Sequence, residues 1–119
     1  MVMNVKGYAA LAVKEDLVPH NFVRRDPRED DVVIDILYSG VCHSDIHNAY
    51  NDWGGAKYPM VPGHEIIGRV VHVGKSVTKF KVGDLAGVGC MVDSCQHCSA
   101  CEQGLEQYCE EGNTLTYNG

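Results

Sequence analysis

The sequence lacks the features that mark a membrane protein or a nucleic-acid-binding protein. No apolar stretch approaches the roughly 20 residues that a membrane-spanning helix needs, and the first residues do not form the apolar centre of a signal peptide. Lysine and arginine total 10 against 16 acidic residues, which gives a net charge of −6, and no basic block occurs. We therefore expect a cytoplasmic protein that binds neither nucleic acid nor a membrane.

The sequence also lacks internal repeats and the pattern of a dinucleotide-binding loop. Gly87-Val88-Gly89 does not continue into G-x-G-x-x-G, and strands do not alternate with helices. We therefore expect that this chain binds no dinucleotide by itself. Its 119 residues, 45% of them hydrophobic, suffice for one globular domain with a modest core.

Short runs of β-forming residues dominate what is present. The strongest predicted strand is β-branched and spans residues 32–38, and further strands are predicted at 5–12, 18–23, 66–74 and 80–89. One short helix is predicted over residues 43–50, and at most one helical turn near 100–104. Residues 114–119 show neither a helix cap nor a closing strand, so we expect the domain to be cut short there. The residues predict a mainly β domain.

Four of the six cysteines follow the pattern C-x2-C-x2-C-x7-C, namely Cys95, Cys98, Cys101 and Cys109. Four soft ligands on one loop match the tetrahedral set of a structural zinc site. Disulfides and an iron–sulfur cluster remain alternatives, but the spacing and the missing secretion signal favour zinc. Cys90 lies outside the pattern and is interpreted as a small packing residue.

Two further segments could together form a second metal site. Cys42 opens the predicted helix, where backbone N–H groups favour a thiolate, and Gly63-His64-Glu65 follows a rigid turn. Cys42 and His64 would supply two of the three protein ligands of a catalytic zinc, with Asp45 accepting the other ring N–H of His64. Taken alone, Cys42 is better explained as an inert buried cysteine, and His64 and Glu65 are at least as well explained as a loop histidine and an exposed glutamate.

Four runs of the sequence carry a resemblance to a known family. Residues 40–47, 62–68 and 82–89, followed by the cysteine loop that ends at Cys109, resemble zinc-dependent medium-chain alcohol dehydrogenases, and within them the cinnamyl-alcohol dehydrogenase branch. The resemblance covers essentially the whole chain but only the N-terminal part of such an enzyme. It implies a GroES-like β-barrel catalytic domain over residues 1–119, incomplete, with an appended four-cysteine zinc lobe at 90–112 and truncated before the Rossmann domain.

The resemblance also implies a role for each site residue. The implied metal ligands are Cys42, His64 and the near carboxylate Glu65 for a catalytic zinc, and Cys95, Cys98, Cys101 and Cys109 for a structural zinc. A set of two cysteines and one histidine is the known catalytic site of alcohol dehydrogenase, so this assignment follows from the resemblance and not from the spacing. The remaining implied roles are a proton relay of Ser44 and His47, a support for His64 at Asp45, a cofactor-phosphate contact at His43, and a substrate pocket near Trp53, Met91 and Leu115.

The implied activity is the NADP(H)-dependent interconversion of primary alcohols and aldehydes, either on cinnamyl-alcohol-like substrates or as a broad aldehyde reductase. The third cysteine ligand and the nucleotide-binding domain of that family lie outside this sequence. We therefore expect the chain alone to be inactive, to keep its structural zinc and to hold a catalytic zinc weakly. Open strand edges predict possible homo-oligomers. The alternatives are a free-standing four-cysteine zinc module and a reductase of unsaturated carbonyls, although many such reductases lack the cysteine loop.

Overall fold

The computed structural model describes residues 3–118, and short antiparallel strands make up most of its regular structure. In chain order the elements are β1 (Met3–Ala9), β2 (Val18–Arg24), β3 (Val32–Gly40), α1 (His43–Ala49), β4 (Glu65–Val73), β5 (Leu85–Val88), β6 (Met91–Asp93), α2 (Ser99–Glu102), a 3-10 turn (Glu106–Tyr108) and β7 (Thr114–Leu115). The prediction of a mainly β domain with one small helix is confirmed.

The described strands form three small sheets. β1 and β2 make a hairpin, β3, β4 and β5 make a three-stranded antiparallel sheet in that order, and β6 pairs with β7. The β-branched run of β3 explains why it is the longest element of the central sheet together with β4. Their register runs from Val32 opposite Val73 to Gly40 opposite Glu65. The end of β3 therefore lies beside the start of β4.

Two predictions about strand positions were wrong. The first strand ends at Ala9 rather than Ala12, and Ala10 instead forms an isolated bridge to Met60. The tail does contain a closing strand, because Thr114 and Leu115 pair with β6. The cysteine loop connects β6 to β7 and brings the two strands side by side, so they can pair.

The buried core is small. Ala10, Ala49 and Met60 form its centre, Tyr58 packs against them, and the Tyr58 hydroxyl donates a hydrogen bond of 2.6 Å to the Ala49 carbonyl. The radius of gyration is 15.2 Å, against about 13.5 Å expected for a compact domain of this length. Large apolar side chains on the central sheet, such as Tyr38 at 73% exposure, are open to solvent. The expected oligomerisation stays a prediction.

Among residues 3–118, neither helix has the length or the apolar character needed to cross a membrane.

Candidate metal centres

The pairing of β3 with β4 brings the first candidate site together. Cys42 follows the end of β3 by two residues, and His64 immediately precedes β4. A side chain at Gly40 would collide with the carboxylate of Glu65, so this position has to be glycine for Glu65 to adopt its observed place. Gly63 has a φ of 122°, a backbone conformation that side-chain-bearing residues rarely adopt. The sequence therefore turns sharply at Gly63 and presents His64 toward Cys42.

The ligand atoms of Cys42, His64 and Glu65 all lie within 4.8 Å of one another. His64 is only 8% exposed, while Cys42 is partly exposed and Glu65 lies at the surface. A thiolate, an imidazole and a carboxylate are the ligand types that zinc takes in proteins. This donor set fits a zinc ion and leaves one side of the site open.

The Asp45 carboxylate connects the segments of Cys42 and His64 by hydrogen bonds. Its Oδ1 accepts hydrogen bonds of 2.9 Å from both the Gly63 N–H and His64 Nδ1, and its Oδ2 accepts one of 3.1 Å from the Cys42 N–H. The bond to Cys42 closes the first turn of α1, as acidic side chains at the third helical position commonly do. Because Nδ1 of His64 is engaged by Asp45, its Nε2 is the nitrogen left for a metal.

Ser44 connects the two candidate ligands. Its hydroxyl lies 3.2 Å from Cys42 Sγ and 3.3 Å from His64 Nε2. The hydrogen bond from Ser44, together with bonds from the Ser44 N–H and from His64, lowers the pKa of the Cys42 thiol. Burial lowers the pKa of His64, but the hydrogen bonds to Asp45 and Cys42 outweigh it and the net shift is upward. Both shifts favour the ionised form of the side chain, and the thiolate is the form in which Cys42 could bind a metal ion.

The predicted relay residue His47 lies in a different contact. Within residues 3–118 no hydrogen bond joins Ser44 to His47; instead His47 Nδ1 lies 2.9 Å from Asp52 Oδ2. The His47 ring stacks on His43 at 4.7 Å and packs against Trp53 at 5.0 Å, between ring centroids. Trp53 and His43 are therefore neighbours of His47.

Met91 and Leu115, the other two predicted pocket residues, face each other across the β6–β7 pair.

Sequence reasoning missed two residues of this site. Asp52 lies five residues after His47, beyond the end of α1. Its position in the sequence was a weak indication of this contact, since an acidic side chain one turn past a helix can reach back to the last turn. Nothing in the sequence indicated that Tyr117 would contact the site. It is buried to 7% exposure and stacks on His64, with ring centroids 4.8 Å apart. This contact depends on where β7 places the tail.

The second candidate site is the cysteine cluster. The four Sγ atoms of Cys95, Cys98, Cys101 and Cys109 lie within 4.8 Å of one another, and the Cys95 to Cys101 distance is 3.8 Å. In the described part of the chain all six cysteines are free thiols. Four sulfurs converging without a disulfide match the ligand set of a closed structural zinc site.

The pKa values of two thiols in the cluster, Cys98 and Cys95, are shifted in opposite directions. Hydrogen bonds from the backbone N–H groups of Glu110 and Cys101 lower the pKa of Cys98 to about 6. At Cys95, burial and the neighbouring thiols outweigh its backbone hydrogen bonds and raise the pKa to about 12. Adjacent thiolates repel one another, so a metal ion is required for all four to ionise together.

Two further residues lie near the cluster. His97 Nε2 lies 3.3 Å from Glu111 Oε1, both at the exposed edge of the cysteine loop and close to Cys95. Cys90 is exposed, so its interpretation as a packing residue was wrong. It lies in the turn between β5 and β6, where its carbonyl accepts a hydrogen bond of 3.1 Å from the Thr116 N–H.

Comparisons with known proteins show which family the fold belongs to. A family model described as the alcohol dehydrogenase GroES-like domain matches residues 28–119. Aldehyde reductase YahK of Escherichia coli strain K12 is 54% identical over 116 residues, which cover 98% of this chain and 33% of that protein. The crystal structure of CAD from Helicobacter pylori complexed with NADP(H) has a TM-score of 0.95 at 49% identity, covering 99% of this chain and 34% of that chain.

Cinnamyl alcohol dehydrogenase SbCAD4 from Sorghum bicolor has a TM-score of 0.93 at 47% identity, covering 98% of this chain and 33% of that chain. The chain thus spans about a third of the length of these relatives. The predicted resemblance, its branch and the GroES-like fold are confirmed. With most of its residues matched by the family model, the chain belongs to the family of alcohol dehydrogenase GroES-like domains.

Proposed function

We propose that this chain is the metal-binding catalytic part of a longer NADP(H)-dependent alcohol dehydrogenase that interconverts primary alcohols and aldehydes. The main observation in support is that the ligand atoms of Cys42, His64 and Glu65 lie within 4.8 Å of one another, beside the Ser44 hydroxyl. The NADP(H)-bound relative from Helicobacter pylori supports the cofactor. The aldehyde reductase from Escherichia coli supports an aldehyde as substrate.

Cys42 and His64 would hold a catalytic zinc, with Glu65 able to approach it. A zinc ion bound there would supply Lewis acidity toward the substrate oxygen. Alcohol oxidation removes a hydride from carbon and a proton from oxygen. A bound NADP+ would supply the hydride acceptor, so this chain would have to handle the proton.

Ser44 is the proposed first proton acceptor. Its hydroxyl is bonded to Cys42 Sγ and His64 Nε2, the two atoms that would serve as metal ligands. Once both atoms are engaged as ligands, the hydroxyl loses these partners and becomes available to the substrate oxygen. The same rearrangement would position it to return a proton during aldehyde reduction.

His47 is the proposed exit for the proton, which would have to reach it from Ser44 through an intervening water or hydroxyl group, since the described residues show no direct hydrogen bond between the two. Asp52 accepts from Nδ1, which fixes the ring and leaves Nε2 free to accept a proton at the partly exposed surface. The stack with His43 and the contact with Trp53 hold the ring between them. We also propose that His43 contacts a phosphate of the cofactor and that Trp53 contacts the substrate.

The four-cysteine lobe, residues 90–112, is proposed to hold a structural zinc. Its four sulfurs lie within 4.8 Å of one another. The chain alone is proposed to keep this zinc, to bind the catalytic zinc weakly and to be inactive, since its sequence contains no G-x-G-x-x-G loop.

The test is aldehyde reduction by the longer enzyme that carries this chain, measured as NADPH consumption with cinnamaldehyde. Ser44→Ala should reduce kcat by about 100- to 10,000-fold, the range of general acid–base catalysis. The matched control is Ser76→Ala, at an exposed serine far from both sites in sequence, which should keep the parent rate.

Two results would contradict the proposal: a Ser44→Ala enzyme with the parent rate, or substantial turnover by the 119-residue chain alone. A four-cysteine zinc module without catalysis predicts no turnover by any version.

A further inference from the structure

Tyr117 covers one face of the His64 ring. The two ring centroids are 4.8 Å apart and the ring planes differ by 19°. Both side chains are buried, at 7% and 8% exposure. The ligands and the proton relay proposed above make no use of this tyrosine, so its burial against a candidate metal ligand requires another explanation.

The segment that carries Tyr117 is held on both sides. On one side the Thr116 N–H donates to the Cys90 carbonyl at 3.1 Å. On the other, Asn118 Oδ1 accepts a hydrogen bond of 2.7 Å from the Lys57 N–H. The ring of Tyr117 is therefore placed by hydrogen bonds to two distant parts of the chain rather than by local sequence.

The hydrogen bond from His64 Nδ1 to Asp45 fixes one corner of the imidazole, but a single hydrogen bond does not by itself fix the tilt of the ring about its Cβ–Cγ bond. The Nε2 lone pair lies in the ring plane, so its direction changes with that rotation. An aromatic ring stacked flat on the imidazole restricts the rotation and excludes water from that face.

We propose that Tyr117 is a positioning residue that fixes the plane of the His64 imidazole and thereby directs the Nε2 lone pair toward a metal ion shared with Cys42. The inference rests on the catalytic metal site of the proposed function. Aromatic stacking corresponds to about a 2- to 12-fold factor in an equilibrium constant. Loss of the stack should therefore weaken metal binding at this site by that factor.

The experiment titrates Co2+ into the 119-residue chain after its four-cysteine site has been filled with zinc, and follows the visible absorption of cobalt bound to Cys42. Tyr117→Phe keeps the ring and should bind Co2+ as the parent does. Tyr117→Leu should bind it about 2- to 12-fold more weakly. Tyr8→Leu removes an exposed tyrosine of β1 and is the matched control, with no expected change.

A purely structural role is separated by a second readout. The ring signals of His64 in histidine-labelled protein should shift in Tyr117→Leu and stay in place in Tyr117→Phe. Asn118→Ala loosens the segment but keeps the ring, so it provides an independent variant if Tyr117→Leu does not fold. It should weaken Co2+ binding in the same direction.

The outcomes distinguish the two proposals. If the parent chain takes up no second metal ion even in a large excess of Co2+, or if Cys42→Ser leaves that uptake unchanged, the metal site itself is refuted, and the role of Tyr117 with it. If the parent binds Co2+ through Cys42 but Tyr117→Leu or Asn118→Ala binds equally well, only the positioning role is overturned.

Discussion

Replacement of Asp45 tests how the first candidate metal site is built. Its carboxylate is 7% exposed and accepts three hydrogen bonds, from the Cys42 and Gly63 N–H groups and from His64 Nδ1. Asp45→Asn keeps the size of the side chain but turns one acceptor oxygen into a donor. In either orientation of the amide, at least one of the three donors then faces another donor.

The expected cost follows from these contacts. A hydrogen bond to a charged group contributes about 1.5–3 kcal/mol, and water can partly replace the bonds at the half-buried Cys42 and Gly63. We therefore expect Asp45→Asn to lower the free energy of unfolding by about 2 kcal/mol and Asp45→Ala by about 3–4 kcal/mol. If His64 is a metal ligand as proposed, loss of the residue that orients it should also weaken Co2+ binding about 10- to 100-fold.

Urea unfolding of the zinc-loaded chain measures the first quantity, and Co2+ titration measures the second. Asp16→Asn makes the same change at an exposed aspartate and serves as the control. The reasoning is refuted if Asp45→Ala costs less than about 1 kcal/mol, a single ordinary hydrogen bond, and leaves Co2+ affinity at the parent value.

Three further predictions follow. Cys98→Ser should abolish tight zinc binding by the lobe and, because β7 and the tail follow the lobe, also weaken Co2+ binding near His64. Cys90→Ser, at an exposed cysteine outside the cluster, should change neither zinc binding nor Co2+ binding, and zinc stoichiometry is measured on both variants. Met60→Ala, at a core residue 2% exposed, should cost about 2–5 kcal/mol in urea unfolding; a loss below about 1 kcal/mol would contradict the core described above. The hydrogen bond from Arg25 lowers the pKa of Asp31 from 3.8 to about 2, so its stabilisation is complete above about pH 4 and is lost as the pH falls toward 2. Since the pair is near the surface, we expect a small effect that is reduced in Arg25→Gln; an unchanged acid profile in that variant would argue against it.

The two clusters of candidate metal ligands could be predicted from the sequence because most of the residues in each are close together along the chain or next to a strand end. Three cysteines at two-residue gaps must lie on one loop, so the four-cysteine interpretation did not require knowledge of the fold. Cys42 and His64 are distant in sequence, but each lies close to the end or the start of a strong strand, and the pairing of those strands brings them together.

The parts that could not be predicted depend on long-range contacts. β7 has only two residues, too few for a periodic pattern, and forms because the cysteine loop returns the chain to β6. The same return places Tyr117 on His64. The exposure of Cys90 follows from the turn that joins β5 to β6. Each depends on how separate segments meet, which residue spacing does not encode.

The most direct test is anomalous X-ray scattering at the zinc edge, on crystals of the chain grown with excess zinc. The account predicts one strong peak at the centre of the four sulfurs of the lobe and a second, weaker peak between Cys42 Sγ and His64 Nε2. Disulfides within the lobe, or a second zinc position away from that thiolate and imidazole, would contradict it.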